Sequence, residues 1–154
     1  MVTRPPKSEE ILAFWQLFEN NFPAPPTYKL FSGEVLEFDL EAKSLRTAFL
    51  ANGDMLNPAG NVQGGILAAF MDDTMGPLAL IMGAGKVFPA TTDLHTQYFR
   101  PCRPGRFECL ARITAMGKTI CTTSAELYNV KRDGARGKLV AAAIQTAALV
   151  PFAR

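Results

Sequence analysis

The sequence is poor in the residues that build metal and disulfide sites. It has one histidine, His95, and three cysteines, Cys102, Cys109 and Cys121, in 154 residues. A structural zinc site needs four nitrogen or sulfur ligands, commonly with closely spaced cysteines, and this chain offers no such set. An odd number of scattered cysteines is no disulfide framework and fits a reducing compartment. Charge of one sign is also lacking. The formal net charge is +2, and the basic residues are scattered, which speaks against nucleic acid as a partner. The mild positive balance does suit a small phosphate-bearing ligand. The first ten residues lack the apolar stretch of a signal peptide, so the expected location is cytoplasmic. A membrane partner is not expected either. The longest apolar run, residues 66–82, falls short of the roughly 20 residues a span needs. It is also broken by Asp72, Asp73 and Gly76-Pro77. Internal repeats and low-complexity segments are absent.

What is present is enough apolar material for one sizeable core, 48% of the chain, in a length that fits a single fold. Ser8 can cap a helix whose first turn carries Glu9 and Glu10, acids suited to the positive end of the helix dipole. Ile11, Phe14, Trp15 and Phe18 then recur at helical spacing, as a core-facing stripe or the lining of an apolar pocket. The helix should stop before Pro23, and Pro23-Ala-Pro-Pro26 reads as a stiff connector. From Gly33 the period falls to two. Leu36, Phe38 and Leu40, then Leu45, Thr47 and Phe49, mark two strands joined by a hairpin at residues 41–44.

A long helix is expected over residues 64–80, ended by Gly83-Ala-Gly85 and kinked or interrupted by Pro77. Four strands follow: residues 91–99, residues 107–114, residues 119–130 and residues 139–150. Met116-Gly-Lys118 makes one turn, and the loop at residues 131–137 contains an Asp-Gly turn. The last strand is apolar on both faces except at Gln145 and Thr146. Six strands and one helix without a polar face imply an α+β fold whose sheet wraps the helix. A helix that is apolar all round must be covered all round, and one sheet is not enough for that, so self-association is expected.

The stretch that organises the chain is Asn57-Pro-Ala-Gly-Asn-Val-Gln63-Gly64-Gly65, followed by an apolar helix that carries Asp72 and Asp73. A carboxylate in such surroundings is costly unless it is paired or put to use. The spacing of Asn57, Gly64-Gly65 and Asp72, with the strand opening Thr91-Thr92-Asp-Leu and the run Tyr98-Phe-Arg-Pro101 before Pro104-Gly105, resembles the PaaI-like acyl-CoA thioesterases of the hotdog superfamily. The resemblance covers residues 33–149. It implies a curved antiparallel sheet around a central helix. The division is then a hotdog domain at residues 33–154, preceded by an N-terminal helix and Pro-rich connector at residues 1–32. Where the family has His-Gly-Gly, this chain has Gln63-Gly64-Gly65. Glutamine can donate a hydrogen bond from its amide but cannot titrate.

The resemblance also implies a site. The N–H of Gly65, helped by Gly64, is the expected oxyanion hole, because a helix start offers unpaired N–H groups and glycine admits close approach. Asp72 is the expected general base or nucleophile, with Asp73 roughly 100° around the helix and aimed elsewhere. Gln63 would help position the thioester carbonyl. Asn57 would hold the attacking water or the carbonyl, or else simply form the turn before Pro58. Thr91, or its neighbour Thr92, would orient Asp72 or the water. Arg100, Arg103, Arg106 and Lys118 are candidates for coenzyme A phosphates. Coenzyme A is then part of the substrate, and no cofactor or metal is called for. In the family the carboxylate acts on a thioester held by the other subunit's loop, so a homo-oligomer, dimer or tetramer, with shared sites is implied. The rival readings are a non-catalytic acyl-CoA-binding or regulatory module, and the hydratases of the same fold. The latter use a His paired with an acid, whereas His95 lies outside the motif. A Cys-His hydrolase built from Cys102, His95 and Asp93 is disfavoured, since Cys102 lies beyond Pro101 with no environment to activate its thiol.

Overall fold

The computed structural model describes residues 6–21 and 24–152. The chain forms α1 (Ser8–Asn21), α2 (Pro26–Leu30), β1 (Glu34–Asp39), β2 (Ser44–Ala51), a 3-10 turn (Gly53–Met55), α3 (Gly64–Met82), β3 (Val87–Tyr98), β4 (Gly105–Met116), β5 (Ile120–Val130) and β6 (Arg136–Pro151). The six strands make one sheet in the order β1-β2-β4-β5-β6-β3, antiparallel at every pairing. The crossover that carries α3 brings β3 back beside β6, so β3 is an edge. The sheet curls around α3.

Alternation decides which side chains reach the helix. Phe49 of β2, Phe107 of β4, Leu127 of β5 and Ala141 of β6 are buried on the concave face. They meet Leu67, Phe70, Met71, Thr74, Met75 and Leu78 of α3. Phe49 and Phe70 stack with ring centres 4.9 Å apart. A buried hydroxyl pair, Thr47 and Thr74, joins β2 to α3 at 2.7 Å, and Thr74 also donates to the Phe70 carbonyl. α1 lies against the same core. Ile11 is buried there, and Trp15 stacks on Phe38 of β1 with ring centres 4.6 Å apart.

Two expectations about proline are corrected. Pro77 does not interrupt α3, which is continuous from Gly64 to Met82. The missing N–H costs one rung, but Leu78, Ala79, Ile81 and Met82 beyond it are all buried and hold the last turns in place. The connector is not purely extended. Pro26 opens the short helix α2, where its fixed φ suits the first helical position; Pro23 lies outside the described residues. β6 begins at Arg136, three residues before the expected start, because it pairs with β5 across the Asp-Gly turn.

Among the described helices, α3 alone is long and apolar enough to cross a membrane by length and composition, and it is the helix wrapped by the sheet. Its other face is half-buried; Asp73 and Pro77 turn toward α1 and α2, while Asp72 lies on a partly exposed strip on the opposite side. That strip runs beside the edge strand β3.

Candidate active site

Asp72 sits on the open strip of α3 and reaches toward β3 and β6. Its Oδ1 accepts from the amide Nε2 of Gln145, a short contact, and from the Thr91 hydroxyl at 3.4 Å. The same Gln145 amide also lies 3.1 Å from Thr91 Oγ1. Gln145 is only 1% exposed. It projects from the concave face of β6 between β5 and β3, and Thr123 of β5 donates to its carbonyl at 3.5 Å. Both contacts on Asp72 fall on Oδ1, and no described residue bonds Oδ2. Thr91 follows the buried Val87 and Pro89 at alternate positions on the inward face of β3, and the β3–β6 register shifts just after it, between Thr91 and Asp93. Thr92 is not part of this cluster, since its hydroxyl is spent on the Thr146 carbonyl.

Sequence reasoning missed Gln145 as a site residue. The available signal was an amide in an otherwise apolar strand. Its partner lay on another element 73 residues away, which no spacing shows.

Asp73 points to the other side of α3, toward α2. Burial, the larger effect, pushes its carboxyl up to about 6; a hydrogen bond with the Thr27 side chain opposes this, and Asp72 adds to it. Its Oδ2 is buried and has no partner, and the same holds for the Tyr28 hydroxyl, whose pKa is pushed up chiefly by burial. Trp15, Phe18, Tyr28 and Pro77 line an apolar cavity of about 270 Å³ on that side.

The glycine turn lies at the N-terminus of α3. Gln63 is the N-cap, and its Oε1 accepts from the Ile66 N–H at 3.1 Å. A Cβ on Gly65 would come within 2.8 Å of that oxygen, so the glycine lets the cap fold over the helix end. Gly64 and Gly65 occupy the first turn, where N–H groups have no intrahelical acceptor. Asn57 uses its Oδ1 within its own loop, accepting from Ala59 N at 3.0 Å and Asn61 N at 3.1 Å. In one chain it is therefore a turn former.

Gly65 and Asp72 do not converge within one chain. Seven residues of helix separate them by roughly 10 Å along the axis. A carbonyl that touches the Gly65 N–H cannot also touch the Asp72 carboxylate of the same helix.

The basic residues divide. Arg100, Arg103 and Arg106 line a cavity of about 460 Å³ with Asn129 and Lys138, and no carboxylate is among its described lining residues. Arg103 donates to the Gly60 carbonyl at 2.8 Å, which places this cavity beside the loop that leads into the glycine turn. Arg100 donates to Leu139 O at 3.3 Å, and Arg106 pairs with Glu34 at 2.7 Å. Lys118 follows the far end of β4, roughly 35 Å away by strand length, and within one chain it does not join them, whereas Lys138 lines the cavity. Cys102 is buried and burial pushes its thiol up, the wrong direction for a nucleophile, while His95 is exposed on β3.

The arrangement compares with known proteins as follows. A family profile described as the thioesterase superfamily matches residues 59–135. A phenylacetic acid degradation-related protein of Ralstonia eutropha JMP134 is similar in structure with TM-score 0.78 and 32% identity, covering 88% of this chain and 98% of that one. The PaaI protein of the Escherichia coli phenylacetic acid degradation operon has TM-score 0.75 and 15% identity, over 94% and 96% of the two chains. A thioesterase family protein of Silicibacter pomeroyi has TM-score 0.78 and 17% identity, over 90% and 98%. By sequence, no curated protein matches. With half its length matched by the family profile and one relative at 32% identity over most of both chains, the chain belongs to the thioesterase superfamily, with its hotdog fold and thioester hydrolysis as its class of chemistry.

Proposed function

We propose that the chain hydrolyses acyl-coenzyme A thioesters at sites shared between two copies. The observation that carries this reading is half-buried Asp72 in an apolar helix, held at one carboxylate oxygen by a buried glutamine and a strand threonine while no described residue bonds its other oxygen. Pinning one oxygen sets the direction of the other, as a base or nucleophile requires. The oxyanion donors lie too far along the same helix, so the Gly65 N–H, with Gly64, comes from the second copy. The edge strand β3 carries Thr91 and offers an unpaired backbone row for that copy to join. Each pair of chains then holds two such sites.

In the base route, Asp72 Oδ2 takes a proton from water as the water oxygen attacks the thioester carbon. The developing oxyanion is met by the Gly65 N–H and the helix N-terminal field. Collapse expels the coenzyme A thiolate, which is reprotonated. In the nucleophilic route Oδ2 itself attacks, and water then opens the mixed anhydride. In a single turnover in ¹⁸O-water, label in the Asp72 carboxylate would establish the second route, because only water attack on the anhydride at Asp72 Cγ places it there.

Coenzyme A as the leaving group is supported by the arginine-lined cavity beside the glycine turn. Arg100, Arg103 and Lys138 can meet its phosphates, with Arg106 partly neutralised by Glu34. Two similar structures are named for phenylacetic acid degradation, so arylacetyl thioesters belong in the first substrate panel. One observation favours a non-catalytic acyl-CoA binder. Gln63 stands where the family has histidine, and its carbonyl is already used in capping.

Free-thiol release across an acyl-CoA panel tests both readings. Asp72→Asn should lower turnover at least about a hundredfold, as for loss of an acid–base group, and Asp73→Asn far less. Equal losses would overturn the roles given to the two carboxylates. Binding without turnover across the whole panel would favour the binder.

A further inference from the structure

The start of α3 poses a conformational problem. Two consecutive glycines open the helix, and glycine has the most backbone freedom to lose. First-turn residues are held by helical bonds at one end only. The Gln63 cap secures the Ile66 N–H but leaves the peptide between Gly64 and Gly65 without help. That peptide is the one whose N–H is needed.

Help comes from β3. The Tyr98 hydroxyl donates to the Gly64 carbonyl at 2.8 Å. The ring lies so close that a Cβ on Gly64 would sit 3.2 Å from Tyr98 Cζ. Tyr98 is 49% exposed in the single chain, so packing within one chain does not fix its ring there. The Gly64 carbonyl and the Gly65 N–H are opposite ends of one planar amide. A carbonyl oxygen has two lone pairs, so it can serve the helix and the phenol together. A bond to the oxygen holds the plane and polarises the N–H at its other end.

We infer that Tyr98 is a positioning residue for thioester hydrolysis, which clamps the Gly64–Gly65 peptide so that its N–H is fixed and strengthened as an oxyanion donor. This rests on the reading of the glycine turn given above. The two glycines then have separate reasons: Gly64 admits the Tyr98 ring, and Gly65 admits the folded Gln63 side chain and the substrate.

Tyr98→Phe keeps the ring and deletes one O–H. It should lower kcat about tenfold, less than loss of a direct oxyanion donor, with KM within about threefold. Replacing Tyr98 by 3-fluorotyrosine, a stronger donor, should return kcat to the parent value or above. In the free protein, Tyr98→Phe should shift the Gly64 carbonyl carbon and Gly65 amide resonances. Asp72→Asn runs in the same assay. Parental kcat in Tyr98→Phe beside a disabled Asp72→Asn would overturn the Tyr98 role and leave the thioesterase reading standing. Parental turnover in Asp72→Asn, or none in the parent, would sink both. An unmoved Gly64 carbonyl resonance would remove the clamp whatever the kinetics.

Discussion

At the scale of single residues, the two adjacent aspartates show how a step of roughly 100° around a helix separates chemistry from cost. Asp72 is partnered and faces the open strip; Asp73 is half-buried with one oxygen unpartnered. Its carboxyl, pushed up to about 6 from an ordinary 3.8, prefers the neutral form in the folded chain. Between those values the unfolded chain holds fewer protons, so stability falls as pH rises through the window and stays reduced above it. Asp73→Asn should flatten the dependence of Tm on pH between about 4 and 6 and raise Tm at pH 7; a steeper slope in the variant would contradict the burial argument. Gln145→Leu keeps the volume but leaves Asp72 Oδ1 with the Thr91 hydroxyl alone. It should cost about tenfold in kcat with KM little changed, since it removes aim rather than binding. Asp72 and Thr91 were singled out by motif spacing, and the fold brings the two side chains together. Gln145 stood out as a polar residue in an apolar strand, but only the β3–β6 pairing tells which carboxylate it serves.

At the scale of elements, β4 and α3 show what spacing along the sequence hides. Lys118 is near Arg100, Arg103 and Arg106 in number, yet β4 runs its whole length between them. Pro77 reads as a break until the turns after it are seen to be buried. α3 is fastened to β2 by the Thr47–Thr74 hydroxyl pair inside the core. Thr74→Val would leave the Thr47 hydroxyl buried without that partner, at a cost of about 1–3 kcal/mol. Urea denaturation should show it as a lower midpoint at unchanged m. Adding Thr47→Val should recover part of the loss, because then neither hydroxyl is stranded. No recovery in the double variant would mean that packing, not hydrogen bonding, sets the cost.

At the scale of the whole molecule, the proposed site takes its aspartate and its oxyanion donors from two copies. Asp72→Asn and Gly65→Val, which covers the donor N–H, should each be inactive alone. Mixed and allowed to exchange subunits, they should regain turnover, because a mixed pair contains one site with neither change. No regain despite proven exchange would place the site within one chain. The sequence by itself determined the fold class, since period-two and period-3.6 patterns report which faces are apolar and a helix without a polar face has to be wrapped. It also determined the motif residues, because a carboxylate in an apolar helix after a glycine pair is local information. Only the tertiary structure decided which aspartate faces the open strip, that Gln145 holds it, and that Tyr98 reaches the glycine turn. Those contacts join elements far apart in the chain, and strand register and the direction of each side chain set them.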